Sequence, residues 1–280
     1  MGARIGVFGL GRMGAPIARA LAEHWEVVTY DPVVAPGDPV ALAASLDVLV
    51  TVLPGAAEVR DTLPPVLAAL RPGSLWLDLT SSDPRVTREL AGRTKTQEID
   101  VVGAPMAGGP AAAEGKLLRF YVGGAPGAVA RAAPILDALG THEVIGNDPG
   151  DGYTAKLLAN LLWFGQVVAV TEALLLGQSL GLAPARLREM LARGAGGSVF
   201  IDEYLDRLLE GDYLETFGLD RVVEELDTLA SLARQEGVPF ELSSLVARLH
   251  GEALERFGAV DGELLAAKLL EERAGRTLRG

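Results

Sequence analysis

Residues 4–31 read RIGVFGLGRMGAPIARALAEHWEVVTYD. A β-branched and aromatic run over residues 4–10 carries the chain into Gly9, Gly11 and Gly14. The helix-forming PIARALAEH follows, and residues 26–30 (EVVTY) make a second strand that ends at Asp31. Strand, glycine turn, helix and strand form one βαβ unit, which predicts a parallel sheet covered by helices. In such a turn the first glycine permits the tight bend, the second lets the backbone approach a pyrophosphate and the third lets the helix pack on the strand. The free N–H groups and dipole of the helix start favour the anion. Gly9, Leu10, Gly11, Arg12, Met13 and Gly14 are therefore candidates for holding a dinucleotide, with Asp31 at the ~20-residue distance expected of a carboxylate that binds the adenosine ribose. A flavodoxin-like sheet without nucleotide is the competing reading. Asp31 would repel a 2′-phosphate and no arginine follows it in PVVAPGDP, so NAD is mildly favoured. NADP stays open, because other groups on this loop can turn toward a 2′-phosphate.

The alternation continues outward from this unit. Residues 47–53 (DVLVTVL) predict a third buried strand ending at Leu53 and Pro54, followed by a helix over residues 56–70 that Pro64 and Pro65 interrupt or bend. Residues 74–79 (SLWLDL) predict the next strand. Thr80 and Ser81 then cap the following helix, meet a ligand beyond the carboxyl edge of the sheet, or do both. A strand over residues 99–102 opens into GAPMAGGP (103–110), and a helix beginning near Pro110 would offer amides at Gly108 and Gly109 to a carboxylate. Strands over residues 119–123 and 143–145, with a helix over 125–139 between them, extend the sheet.

Residues 150–180 (GDGYTAKLLANLLWFGQVVAVTEALLLGQSL) predict one long helix, which divides the chain. Residues 1–150 are expected to form a dinucleotide-binding Rossmann-type domain. Residues 151–280 are expected to form an all-helical substrate and oligomerisation domain, with the linking helix over about residues 152–180. Further helical spacing runs over residues 184–193, 200–210, 219–236, 241–257 and 263–273. Lys156 and Asn160 lie one turn apart among leucines, Trp163 and Phe164, and a helix apolar all round is normally buried. A lysine there either loses hydration, as suits an amine that must exchange a proton, or snorkels to water from near the helix start. A membrane span is disfavoured, because Asn160, Gln166, Thr171 and Glu172 break the apolar run short of ~20 residues.

The 280 residues carry a formal charge of −12, which argues against nucleic acid or an anionic membrane as partner but not against a small anionic ligand in a local pocket. The absence of cysteine removes disulfide and thiolate chemistry. His24, His142 and His250 are scattered without metal-ligand spacing, so no metal site is expected and all three read as surface or capping residues. The N-terminus enters a strand directly, which predicts a cytoplasmic protein.

Five motifs occur in order: GLGRMGAPIARAL (9–21), TVLP (51–54), DLTSSDP (78–84), GAPMAGGPAAAEGKL (103–117) and GDGYTAKLLAN (150–160). Together they resemble the β-hydroxyacid dehydrogenase family, most nearly its 3-hydroxyisobutyrate dehydrogenase branch, over almost the whole chain. The resemblance implies a Rossmann-type doubly wound, mostly parallel sheet with extra strands and an all-α C-terminal domain. It also implies hydride transfer between NAD(P) and a small anionic 3-hydroxy acid or its semialdehyde. Lys156 would be the catalytic residue and Asn160 its substrate-orienting partner. Leu53, Pro54, Thr80 and Ser81 would lie beside the nicotinamide, and Ala107, Gly108 and Gly109 would form the substrate loop. A homodimer or homotetramer is implied as well. Three places depart from the family pattern: Gly103 and Ala107 replace an aspartate and a serine in the substrate loop, Ala159 replaces an asparagine or histidine, and Glu224-Glu225 replace a Lys-Asp pair. An imine reductase-like enzyme and a non-catalytic NAD(P)-binding redox sensor are the alternatives.

Overall fold

A computed structural model describes residues 2–279, and the chain forms two compact units, Met1–Lys156 and Leu157–Gly280. The first unit runs β1 (Arg4–Phe8), α1 (Gly14–Ala22), β2 (Glu26–Tyr30), α2 (Pro39–Ala43), β3 (Val48–Thr51), α3 (Ala56–Ala69), β4 (Leu75–Asp78), α4 (Pro84–Thr94), β5 (Asp100–Gly103), β6 (Met106–Ala107), α5 (Gly109–Glu114), β7 (Leu118–Gly124), α6 (Pro126–Asp137) and β8 (Gly140–Gly146). Strands β2-β1-β3-β4-β5 are parallel neighbours in that order. β7 turns antiparallel against β5 and pairs with β6 and β8. The doubly wound, mostly parallel sheet with extra strands is as expected.

Period-two alternation sends successive strand side chains to opposite faces, and each face meets its own helices. Ile5, Val7, Val50 and Leu77 pack with Ile17 and Leu21 of α1 and Ala132 and Ile135 of α6. Phe8, Leu49 and Trp76 pack on the other side with Val59 and Leu63 of α3 and Val86 and Leu90 of α4. Burial on both faces explains why these strands read as continuous apolar runs. Pro64 and Pro65 do not interrupt α3, which is a single helix through both. The carbonyls they leave without a helical donor belong to Arg60 and Asp61, whose residues are exposed to water.

Helix α7 (Asp151–Ser179) begins in the first unit and continues into the second, which adds α8 (Pro184–Ala192), a π-helical turn at Phe200–Tyr204, α9 (Leu205–Glu210), α10 (Leu219–Glu236), α11 (Glu241–Phe257) and α12 (Leu265–Ala274). One stripe of α7 enters the helical core. Val167, Leu174 and Leu175 pack around Phe200, Leu205 and Leu208, and Phe164 and Val168 pack around Val222, Leu226 and Leu249.

Two expectations are corrected here. The long helix is not buried all round: Leu158, Leu162 and Leu176 are 49%, 67% and 62% exposed, because a single core covers only one stripe of a helix apolar on every side. By length and composition α7 also qualifies as a membrane span, although its inward stripe is packed as in a core helix. His250 is not a surface residue; it is fully buried on the inward stripe of α11 with Val246, Leu249 and Ala253. Its Nδ1 lies 2.9 Å from Val246 O and its ring 5.4 Å from that of Phe164. His24 stays exposed beside Trp25, and His142 pairs with Asp137 at 2.9 Å.

Candidate active site

The glycine turn closes as its sequence demands. Gly9 has φ +93°, a left-handed conformation costly for other residues, and its N–H donates to Tyr30 O at 2.9 Å. A Cβ on Gly14 would stand 1.9 Å from Gly9 O, so only glycine lets α1 start this close to β1. A Cβ on Gly11 would meet nothing within 4 Å, leaving open space at the start of α1 where a phosphate would rest. Leu10 and Met13 are half-buried while Arg12 points to the surface.

Asp31 is tied into this turn. One carboxylate oxygen accepts from Leu10 N at 2.9 Å, and the other accepts from Val33 N at 2.9 Å and Val34 N at 3.1 Å. These backbone donors, Leu10 first, hold the carboxyl below the usual carboxylate range and keep it ionised. Paired hydrogen bonds between Asp31 and Ala35 close the loop into a small hairpin whose tip is Pro32, Val33 and Val34. The loop itself brings no cationic side chain to the carboxylate. The open space at Gly11 and the fixed carboxylate together fit a dinucleotide.

At the carboxyl edge of the sheet the two expected loops meet, since Leu53 N donates to Thr80 Oγ1 at 3.0 Å. Thr80 is buried, Leu53 and Ser81 are half-buried and Pro54 is exposed. Beneath them lies a group that sequence reasoning missed. Asp78 is fully buried and accepts from Thr51 Oγ1 at 2.7 Å, Thr80 N at 3.1 Å and Tyr153 Oη at 2.6 Å. Burial pushes the Asp78 carboxyl above its ordinary value, against the pull of these donors, and pushes the Tyr153 phenol well above its own. The only sequence signal was an aspartate at the end of an otherwise apolar strand.

Ala107 is half-buried at the end of β6, opposite Arg119 of β7. Gly108 and Gly109 follow at φ +122° and +68°, a double left-handed turn. The predicted helix near Pro110 is the six-residue α5. The start of α7 is fixed by Asp148, which accepts from Gly150 N at 2.8 Å and from Arg88 Nε at 2.6 Å. Lys156 is half-buried three residues beyond Tyr153. In the second unit, Asn160 Nδ2 donates to Glu225 Oε2 at 2.6 Å, and Arg221 donates to Glu224 at 2.7 Å. Hydrogen bonds thus unite Leu10 with Asp31 and Leu53 with Thr80, while Ala107, Gly108 and Gly109 are carried on a separate loop.

A glycine turn, a fixed acidic residue and two loops meeting at the carboxyl edge of a parallel sheet define a Rossmann-type dinucleotide-binding protein. Residues 4–147, just over half the chain, match the family described as the NAD binding domain of 6-phosphogluconate dehydrogenase. Residues 150–270 match that described as NAD-binding of NADP-dependent 3-hydroxyisobutyrate dehydrogenase. The chain is 28% identical to 2-(hydroxymethyl)glutarate dehydrogenase of Eubacterium barkeri, covering 88% of this chain and 87% of that one. It is 29% identical to mitochondrial 3-hydroxyisobutyrate dehydrogenase of Mus musculus, covering 88% and 80%. The structure of Mycobacterium tuberculosis 3-hydroxyisobutyrate dehydrogenase with L-serine superposes with a TM-score of 0.88 at 25% identity, covering 96% and 99%. The chain belongs to the β-hydroxyacid dehydrogenase family and is an NAD(P)-dependent oxidoreductase acting on the CH–OH group of a hydroxy acid.

Proposed function

We propose that the substrate is a small 3-hydroxy acid, or its semialdehyde in the reverse direction, with Lys156 as general acid and base. Two of the relatives' names describe one chemical pattern, a hydroxymethyl group on the carbon that bears a carboxylate. The observation that carries the residue assignment is the placement of Lys156, half-buried in the first unit and one turn beyond the tyrosine anchored beneath the Thr80 loop.

Gly9 to Gly14 would hold the pyrophosphate and Asp31 the adenosine ribose, with Leu53, Pro54, Thr80 and Ser81 against the nicotinamide. When bound, the nicotinamide takes up or supplies the hydride. The amides of Gly108 and Gly109 hold the substrate carboxylate in their double turn beside Ala107. In oxidation the neutral Lys156 amine accepts the hydroxyl proton as the carbon–hydrogen bond breaks. In reduction its ammonium returns that proton and stabilises the developing alkoxide. Asn160, one turn further along α7 and oriented by Glu225, hydrogen-bonds the substrate. NAD is favoured over NADP, because the Asp31 carboxylate is ionised, held by three backbone donors and followed by an uncharged hairpin tip.

The protein works in the cytoplasm as a dimer or tetramer. The exposed leucines of α7 and Leu180 just beyond it follow helical spacing on one face, and a second copy of the chain would cover them. The test is nicotinamide absorbance with NAD and NADP against a panel of 3-hydroxy acids and their semialdehydes, with Lys156→Ala beside the wild type. Loss of about 10²–10⁴ in kcat is expected for the mutant. Near-full activity in Lys156→Ala would refute the assignment.

A further inference from the structure

The buried carboxyl of Asp78 gathers donors from three separate segments: the end of β3 through Thr51, the loop beyond β4 through the Thr80 amide, and the first turn of α7 through Tyr153. The network extends outward. Trp76 Nε1 donates to Thr51 Oγ1 at 2.9 Å, and Thr80 Oγ1 accepts from Leu53 N at 3.0 Å. All of these residues lie in the first unit. None of the donors to Asp78 is a cation, and an apolar filling of the same volume would serve stability at least as well. What a hydrogen-bonded network adds is direction, since packing alone lets a helix turn rotate or slide while a short phenol–carboxyl bond does not.

The Tyr153 ring has a single seat. It lies so close to Gly103 that a Cβ there would stand 2.3 Å from Tyr153 Cε2. Lys156 follows three residues later, on the neighbouring position of the same helix face.

We propose that Tyr153 and Asp78 are positioning residues: their hydrogen bond sets the rotation and height of the first turn of α7 against the Thr80 loop, and thereby aims the Lys156 amine at the reacting hydroxyl. The proposal rests on the reading of Lys156 as the acid–base group. Neither residue touches substrate, so both act on rate through Lys156 and leave ground-state binding alone.

Tyr153→Phe removes one hydroxyl and keeps the ring. The measurements are NAD affinity by calorimetry, the melting temperature of the apoprotein, and kcat and KM for the hydroxy acid, with wild type and Lys156→Ala run in parallel. NAD affinity is expected within about twofold of wild type and KM within about threefold, while kcat falls about tenfold or more, because a small misplacement of a reacting group costs rate. A kcat within about twofold of wild type overturns the proposal. A parallel loss of NAD affinity and kcat also overturns it, because the pair would then serve the cofactor loops. Lys156→Ala turning over at wild-type rate removes the Lys156 reading and this proposal with it. An inactive Lys156→Ala beside an unimpaired Tyr153→Phe removes this proposal alone. Should Tyr153→Phe fail to fold, Asp78→Asn keeps the shape of the carboxyl and gives up one acceptor oxygen; the same split between kcat and NAD affinity is expected and the same outcomes decide.

Discussion

Gly103 and Tyr153 are packed so closely that a Cβ on Gly103 would stand 2.3 Å from Tyr153 Cε2 and 2.2 Å from Pro149 O. The glycine at the end of β5, which departs from the aspartate usual in the resembling family, is thus matched to the tyrosine that fills the space beside it. Gly103→Asp restores the family residue and is expected to destabilise the chain by about 3 kcal/mol or more, through overpacking and burial of an added charge. Urea unfolding with circular dichroism checks this, and a wild-type midpoint would contradict it.

On the proposed reading Asp31 sets the choice between NAD and NADP. Asp31→Ser removes the charge that opposes a 2′-phosphate and weakens the grip on the ribose. The expected result is a loss of about tenfold to a hundredfold in kcat/KM with NAD, from losing a charged hydrogen bond worth about 1.5–3 kcal/mol, and a gain with NADP. Steady-state kinetics with both cofactors decides. A wild type that already prefers NADP would remove Asp31 from this role.

His250 makes stability depend on pH. Burial depresses its pKa from 6.5 to about 4, more than the Val246 carbonyl contact offsets. The unfolded chain therefore takes up a proton near pH 6.5 that the folded chain refuses until near pH 4. Stability is full above pH 6.5 and falls as pH drops through this window, by up to about 1.4 kcal/mol per unit. His250→Phe should flatten that slope, measured as unfolding free energy from pH 7 to pH 4. An unchanged slope would place the acid sensitivity elsewhere.

Ala107 leaves the proposed substrate loop without the hydroxyl that the family pattern supplies. Ala107→Ser should lower KM for a carboxylate-bearing substrate by about threefold to tenfold, the value of one added hydrogen bond of about 1 kcal/mol, with kcat little changed. An unchanged KM across the panel would mean that the carboxylate is held elsewhere.

Leu162 lies on the exposed face of α7 at 67% exposure. If a second copy covers this face as proposed, Leu162→Glu should yield monomers in light scattering, because a charge buried at an apolar interface is left unpaired. A wild-type protein that is already monomeric at micromolar concentration removes the assembly reading.

What the sequence displayed was local. The strand, glycine turn and helix around Gly9, Gly11 and Gly14 are read without help from distant residues, and the left-handed Gly9 and the close approach at Gly14 follow that reading. Helices Leu219–Glu236 and Glu241–Phe257 match their predicted limits, because strong amphipathic periods end at glycines, with Gly237 in the left-handed conformation. The Tyr153–Asp78 bond joins residues 75 positions apart, and neither periodicity nor spacing connects them. β6 stayed hidden because GAPMAGGP carries the composition of a turn, and β6 exists only through its pairing with β7. His250 illustrates the same limit. Its position on the inward stripe of α11 was visible in principle, but composition favoured a polar reading.

The Asp78 network also limits how this enzyme can be altered. A carboxyl that answers to three chain segments cannot be exchanged without retuning Thr51, Thr80 and Tyr153 together, so single substitutions there meet a steep barrier. The Asp31 hairpin and the Ala107–Gly109 turn share none of the hydrogen bonds described for Asp78. If those two loops set cofactor and substrate choice as proposed, the two choices can drift separately while the frame between them stays constant, and a library aimed at new specificity belongs there.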